Sequence, residues 1–217
     1  MIRVEDEGGL RRVVIDRPDK ANSLTGEMLE ALCEAVESAG DFGALVLTGE
    51  GKVFSAGADL EEVRAGLATS PLWERLSGAI AQSQALTIGA LNGTLAGGAF
   101  GMALACDLRI GVPSAKFFYP VMLLGYLPQP SDPGRLAALV GPARARMILM
   151  AAQKIKAPEA LAWGLVDRLV EPSELAAEVF ALTTAAQEAK PEIRNGIKAM
   201  CRGLTVAGDA GGQPPLD

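Results

Sequence analysis

Apolar runs and apolar stripes alternate along this chain, and the alternation predicts its elements. Residues 1–16 read as two short strands around a turn near Gly8-Gly9. Thr25 can cap a helix that runs to about Ser38, with Met28, Leu29, Leu32 and Val36 at helical spacing on one face. Ala44 to Thr48 is a continuous apolar run, read as a parallel strand buried on both faces. A short helix with Glu61, Glu62 and Arg64 on a solvated face follows. Pro71 opens another, with Leu72, Leu76, Ile80 and Ser83 inward. Thr87 to Leu91 is the next strand, Gly98 to Cys106 a helix of small residues, and Asp107 to Val112 a third strand. Strands that alternate with helices predict right-handed crossovers in a layered α/β domain.

The second half reads as mostly helical. Arg135 to Val140 and Ala143 to Ala151 are helices split by Gly141-Pro142. A helix from Pro158 stops at Gly164, and Leu165 to Val170 is a short strand. Pro172 to Lys190 is a long amphipathic helix and Pro191 to Arg202 a last helical segment. From Gly203 the periodicity stops, and a disordered tail is expected. Residues 1–190 are therefore read as the core domain and 191–217 as a short C-terminal helix with a flexible tail.

Composition narrows the chemistry. With 217 residues, 49% of them hydrophobic, the chain can bury one sizeable core. A net charge of −6 argues against nucleic acid or an anionic membrane surface as the main partner. No apolar run is long enough to span a bilayer. Cys33, Cys106 and Cys201 have no metal-ligand spacing; the first two read as packed, reduced thiols, which points to a cytoplasmic setting. The chain has no histidine. That excludes Ser-His-Asp and Cys-His nucleophiles and His-ligated metals, and no metal site is expected. Proton transfer must use carboxylate, Lys, Tyr, Cys or a group on the substrate.

Two loops carry most of the chemical signal. Phe54-Ser55-Ala56-Gly57-Ala58-Asp59 and Asn92-Gly93-Thr94-Leu95-Ala96-Gly97-Gly98 each follow a buried strand and lead into a helix. Small residues let a ligand approach main-chain N–H groups, and the first turn of a helix leaves such groups unpaired. Two such turns can aim two donors at one oxygen, as in an oxyanion hole. Other motifs fail. The glycine spacing fits neither a dinucleotide fingerprint nor a phosphate-binding P-loop, and Ser55 has Val53 where a nucleophile elbow needs glycine.

At this point the chain resembles the crotonase (enoyl-CoA hydratase/isomerase) superfamily. The resemblance rests on Arg17-Pro18, Lys20-Ala21-Asn22-Ser23-Leu24, the two loops, and Ala103-Leu104-Ala105-Cys106-Asp107-Leu108-Arg109. Leu124-Gly125, Pro128, Leu139-Val140-Gly141 and Gly164-Leu165-Val166 extend it in order to about residue 202. It implies an α/β, crotonase-like (ClpP/crotonase) fold of repeated ββα units, here with a shortened C-terminal helical region. It implies a homo-oligomer, a trimer or dimer of trimers. It implies an acyl-CoA thioester as partner, with coenzyme A arriving as part of the substrate and no permanently bound cofactor. The N–H groups of Ala58 and Gly98 would form the oxyanion hole. Lys20, Ala21, Ser23, Ala56, Asp59, Leu60, Gly97, Gly101, Val121 and Asp132 would line the substrate path.

The departures from that pattern bear on the reaction. The two places where hydratases of the family carry catalytic glutamates hold Gly101 and Val121. Hydration of an enoyl-CoA is therefore not expected, and simple isomerisation is put in doubt. A hydrophobic residue at the second place resembles members that decarboxylate malonyl-type CoA thioesters. A non-catalytic acyl-CoA binder is the alternative from another class. Gln129 stands where other members carry a catalytic Asp or Tyr; it is a candidate for orienting substrate, with a satisfied loop residue as the equal alternative. Asp132 is read first as the cap of the helix that includes Arg135, and second as a pocket carboxylate. Asp59 is read as a helix cap and Asp107 as structural, while Tyr119 is open between pocket and core.

Overall fold

The computed structural model describes residues 1–204. Strands β1 (Ile2–Glu7) and β2 (Leu10–Ile15) form the expected antiparallel hairpin. From β2 the main sheet grows in parallel through β3 (Ala44–Gly49), β5 (Leu86–Leu91), β7 (Leu108–Gly111) and β10 (Arg168–Leu169). Ala44 to Leu47 are all buried, as a central parallel strand covered on both faces requires.

A second sheet lies within what the sequence presents as loops. Its strands β4 (Val53–Ser55), β6 (Thr94–Ala96) and β8 (Lys116–Phe118) are parallel, and β9 (Ile155–Lys156) pairs antiparallel with β8. Strands β3, β5 and β7 of the main sheet are thus each followed by a short strand of the other sheet and then by a helix. The chain order is β3–β4–α2 (Leu60–Arg64), β5–β6–α4 (Phe100–Ala105) and β7–β8–α5 (Val121–Leu124). This is a repeated ββα unit, and it stacks the three strand-to-helix turns side by side.

Helix α1 (Gly26–Glu37) starts at Thr25, whose hydroxyl accepts from the Met28 N–H. It packs against α3 (Leu72–Gln82), which in turn packs against α4. Leu29, Leu32, Leu76, Ile80 and Phe100 are buried between these helices and the sheet. The expected solvated face of α2 needs one correction: Glu62 Oε2 accepts the N–H of Gly26 at 2.7 Å, so it ties α2 to the first turn of α1. On the opposite face of the sheet, α9 (Leu175–Glu188) covers β3, β5 and β7.

In the second half, α6 (Asp132–Val140) begins three residues before the expected start at Arg135. Helix α7 (Pro142–Leu149) and α8 (Ala157–Trp163) follow as read, while the strand expected over Leu165 to Val170 contracts to β10. Helix α10 (Pro191–Cys201) is tied back to the core: Lys198 Nζ pairs with Asp107 Oδ2 at 2.6 Å. Asp107 also accepts from the Thr87 N–H and hydroxyl, which is the structural role expected of it. Cys33 and Cys106 are buried free thiols, and burial raises the Cys106 pKa to about 12. The tail expected beyond Gly203 lies, from residue 205, outside the described residues. No described helix is long and apolar enough to cross a membrane.

Candidate active site

The first loop is held by side chains that the sequence places at its ends. Asn22 is fully buried; its amide donates to Glu50 O and Val53 O, and its Oδ1 accepts the Arg17 N–H. Ser55 donates to Asn22 O at 2.8 Å and accepts the Gly57 N–H at 3.1 Å. Gly57 takes the left-handed conformation, φ 91°. Leu24 then bridges the loop: its N–H donates to Gly57 O and its carbonyl accepts the Asp59 N–H, both at 2.8 Å. In that bridge the N–H of Ala58 faces away from Leu24. Asp59 caps α2 as read, accepting the Glu61 N–H at 3.0 Å, and it pairs with Arg17. Bonding to Arg17 holds the Asp59 carboxyl below its ordinary range.

The second loop lies against the first, backbone on backbone. A Cβ on Gly57 would stand 2.9 Å from Ala96 O and 3.3 Å from the nitrogen of Gly98. Gly97 takes φ 57° and opens a single 3-10 turn, Gly97–Ala99, that runs into α4. Asn92 anchors the start of the loop, accepting the Gly49 N–H and donating to Gly51 O.

Between the loops and the segment after β8 is a cleft of about 170 Å³. Ala58 and Gly98 both line it, together with Ala56, Gly97, Leu60, Val121 and Gln129 from the expected set. Trp73 and Tyr119 also line it; no motif in the sequence points to the first, and the second is open there between pocket and core. Lys20, Ala21, Ser23, Asp59, Gly101 and Asp132 do not line it. Lys20 is exposed on the outer loop. Ala21 and Ser23 act on the loops instead: Ala21 O accepts the Ala56 N–H, and Ser23 bonds to Asp59. Gln129 has one bond from its amide, to Ala68 O at 3.3 Å.

Asp132 corrects its first reading. It caps nothing: α6 has Ser131 at its cap position and no side-chain capping bond. The Asp132 side chain is 1% exposed and turns inward. Its Oδ2 accepts the Tyr119 hydroxyl at 2.9 Å, and its Oδ1 has no hydrogen-bond partner among the described residues. A Cβ on Gly101 would stand 2.9 Å from that Oδ1. The carboxylate therefore occupies the space beside α4 that a side chain at position 101 would need. Burial pushes the Asp132 pKa up to about 6, against the stabilising pull of the Tyr119 bond and Arg135. Burial raises the Tyr119 pKa as well, with the Asp132 charge adding to it.

The enoyl-CoA hydratase/isomerase family profile matches residues 5–209. The chain belongs to the enoyl-CoA hydratase/isomerase family. Its crotonase-like α/β fold is shared with solved members: it superposes on an enoyl-CoA hydratase/isomerase from Pseudoalteromonas atlantica with a TM-score of 0.86 at 28% identity, covering 93% of this chain and 82% of that one. Curated relatives differ in activity. A 4-chlorobenzoyl coenzyme A dehalogenase of an Arthrobacter species is 33% identical over 209 residues, 91% of this chain and 76% of the relative. A short-chain-enoyl-CoA hydratase of Clostridium acetobutylicum is 36% identical over 185 residues, 79% of this chain and 69% of the relative. Family membership thus fixes the fold and leaves the reaction to the site.

Proposed function

We propose that this protein binds an acyl-CoA thioester and stabilises its enolate with the main-chain N–H groups of Ala58 and Gly98. The observation that carries this reading is the meeting of the two small-residue loops at one cleft, with Gly57 packed on Gly98. Ala58 has its N–H turned away from its bridge partner Leu24, and Gly98 lies in the first turn leading to α4. Two fixed donors aimed at one carbonyl oxygen favour charge on it more than reorienting water does. The apolar walls, Leu60, Val121, Leu124 and Leu127, suit the acyl chain.

Hydration is outside this reading, because neither Gly101 nor Val121 can position or deprotonate a water. Decarboxylation of a malonyl-type thioester is the second reading, favoured by the apolar Val121 at the cleft: loss of CO₂ leaves the same enolate for the same two donors. The acting form is a homo-oligomer, supported by the exposed apolar residues of α5 and α7. Calorimetry with butyryl-CoA and turnover of methylmalonyl-CoA beside crotonyl-CoA test the reading. Binding with no hydration is expected; absence of thioester binding refutes it.

A further inference from the structure

We propose that Tyr119 and Asp132 form a two-member proton relay serving the acyl cleft, supplying from the segment after β8 and from α6 the acid–base function that position 101 does not carry. The inference rests on the thioester reading above and adds the group that moves the proton.

Three observations carry it. Tyr119 lines the cleft and donates its hydroxyl proton to Asp132 Oδ2 at 2.9 Å. Asp132 is 1% exposed, with Oδ1 lacking a partner among the described residues and filling the space where a Cβ on Gly101 would stand. A buried carboxylate oxygen left without a donor costs folding free energy, so it calls for a role. The pair is also rigidly held: the Tyr119 ring stacks on Phe100, with centroids 5.4 Å apart.

The step balances without a co-reactant. A Cα–H bond of the thioester breaks and its electron pair enters the enolate held by Ala58 and Gly98. The released proton goes to the Tyr119 oxygen as the phenolic proton passes to Asp132 Oδ2. Tyr119 stays neutral throughout and Asp132 ends as the acid. The reverse transfer protonates an enolate, including one left by loss of CO₂. Tyr119 is the member that meets substrate, and Asp132 acts through it. The other charged groups facing the carboxylate are Arg135 on α6 and Glu74 on α3. Their opposed effects leave burial dominant, which places its titration at about 6, close to the working pH of an acid–base group.

The test follows α-deuteration of butyryl-CoA in deuterium oxide by mass spectrometry, with thioester affinity measured by calorimetry on the same proteins. Asp132→Asn and Tyr119→Phe are expected to bind within about threefold of wild type. Both should exchange the α-proton at least about 100-fold more slowly. Wild-type exchange should fall away as pH drops through about 6. In Tyr119→Phe any residual exchange should have that limb moved upward, because the phenol stabilises the ionised carboxylate; a limb that stays in place would show that Asp132 is not the group that titrates in it. Thioester binding with undiminished exchange in Asp132→Asn overturns the relay and leaves the thioester reading standing. No binding by the wild type removes both. If a variant fails to fold, the wild type decides: exchange that is absent, or flat across that limb, overturns the relay.

Discussion

The indole of Trp73 lies against Gly98, so that a Cβ built on the glycine would stand 3.2 Å from three ring atoms. The ring is fixed from behind, since its Nε1 donates to Leu67 O at 2.8 Å. Any side chain at position 98 must therefore push a buried aromatic. This separates two roles of the glycine. Gly98→Ala introduces the crowding and keeps the N–H; Gly98→Pro introduces the crowding and removes it. The alanine variant is expected to lose about 1–3 kcal/mol of stability while retaining thioester binding. The proline variant should lose a further ~10²–10³-fold in any enolate-forming step, the typical worth of one such donor. Urea melts paired with α-proton exchange check this. Equal activity in two folded variants would show that the N–H is not used.

Restoring a glutamate at position 101 meets an obstacle that only the structure reveals. The Asp132 carboxylate already stands 2.9 Å from where that Cβ would go. Gly101→Glu alone is expected to destabilise by at least about 1–3 kcal/mol from overpacking, before any repulsion between two buried carboxylates. Adding Asp132→Gly opens the space. The triple variant Gly101→Glu, Val121→Glu, Asp132→Gly should then be better folded than the double variant without the aspartate change. It is the form in which crotonyl-CoA hydration should first be detectable; denaturation midpoints and turnover compare the two.

Asp132 also sets a pH dependence of stability. Its carboxyl titrates at about 6 in the folded protein, above the ordinary value of 3.8. A raised carboxyl pKa means that the native state holds its proton more tightly than the unfolded chain does. The contribution is fully favourable below the unfolded pKa and is lost as pH rises through the folded one. Asp132→Asn removes this titration while its amide oxygen can still accept from Tyr119. Relative to wild type, the variant should gain up to roughly 3 kcal/mol between pH ~3.5 and ~7. Chemical denaturation of both proteins at the two ends of that window measures it. A difference that does not change with pH would place the carboxyl in its ordinary range.

Much of this fold was legible because its signals are local. The run Ala44 to Leu47, the Thr25 cap and the stripe Met28, Leu29, Leu32, Val36 each report on a few neighbouring residues. The two site loops were legible from glycine spacing after buried strands. The second sheet was not, because strands of two or three residues are too short to display a period. The run Met147-Ile148-Leu149-Met150 is apolar throughout, yet the backbone turns it through both faces: Ile148 and Leu149 are buried, and Met147 and Met150 are exposed. Asp132 was misread for a similar reason. An aspartate before Pro133 at a helix start carries the composition of a cap. Its burial is decided by Tyr119, thirteen residues earlier, and by Gly101 on another helix.

The exposed apolar surface gives the last prediction. Leu123, Leu127 and Met150 are 76%, 88% and 57% exposed. They adjoin or line a groove of about 450 Å³ between α5, α6 and α7, walled by Met122, Tyr126, Pro133 and Ala137. A patch of this kind is costly to leave in water and marks a contact surface. Leu127 and Tyr126 line both this groove and the acyl cleft, so association and substrate binding share a wall. Sedimentation at micromolar concentration is expected to show a trimer or a dimer of trimers. Leu123→Asp with Met150→Asp, neither of which lines the acyl cleft, should shift it to monomer. The dissociated form should bind butyryl-CoA about tenfold more weakly, a loss of ~1.4 kcal/mol, because the shared wall is no longer backed by a neighbour. A wild type that sediments only as monomer would overturn the assembly. A dissociated variant with unchanged affinity would mean that each subunit closes its own cleft.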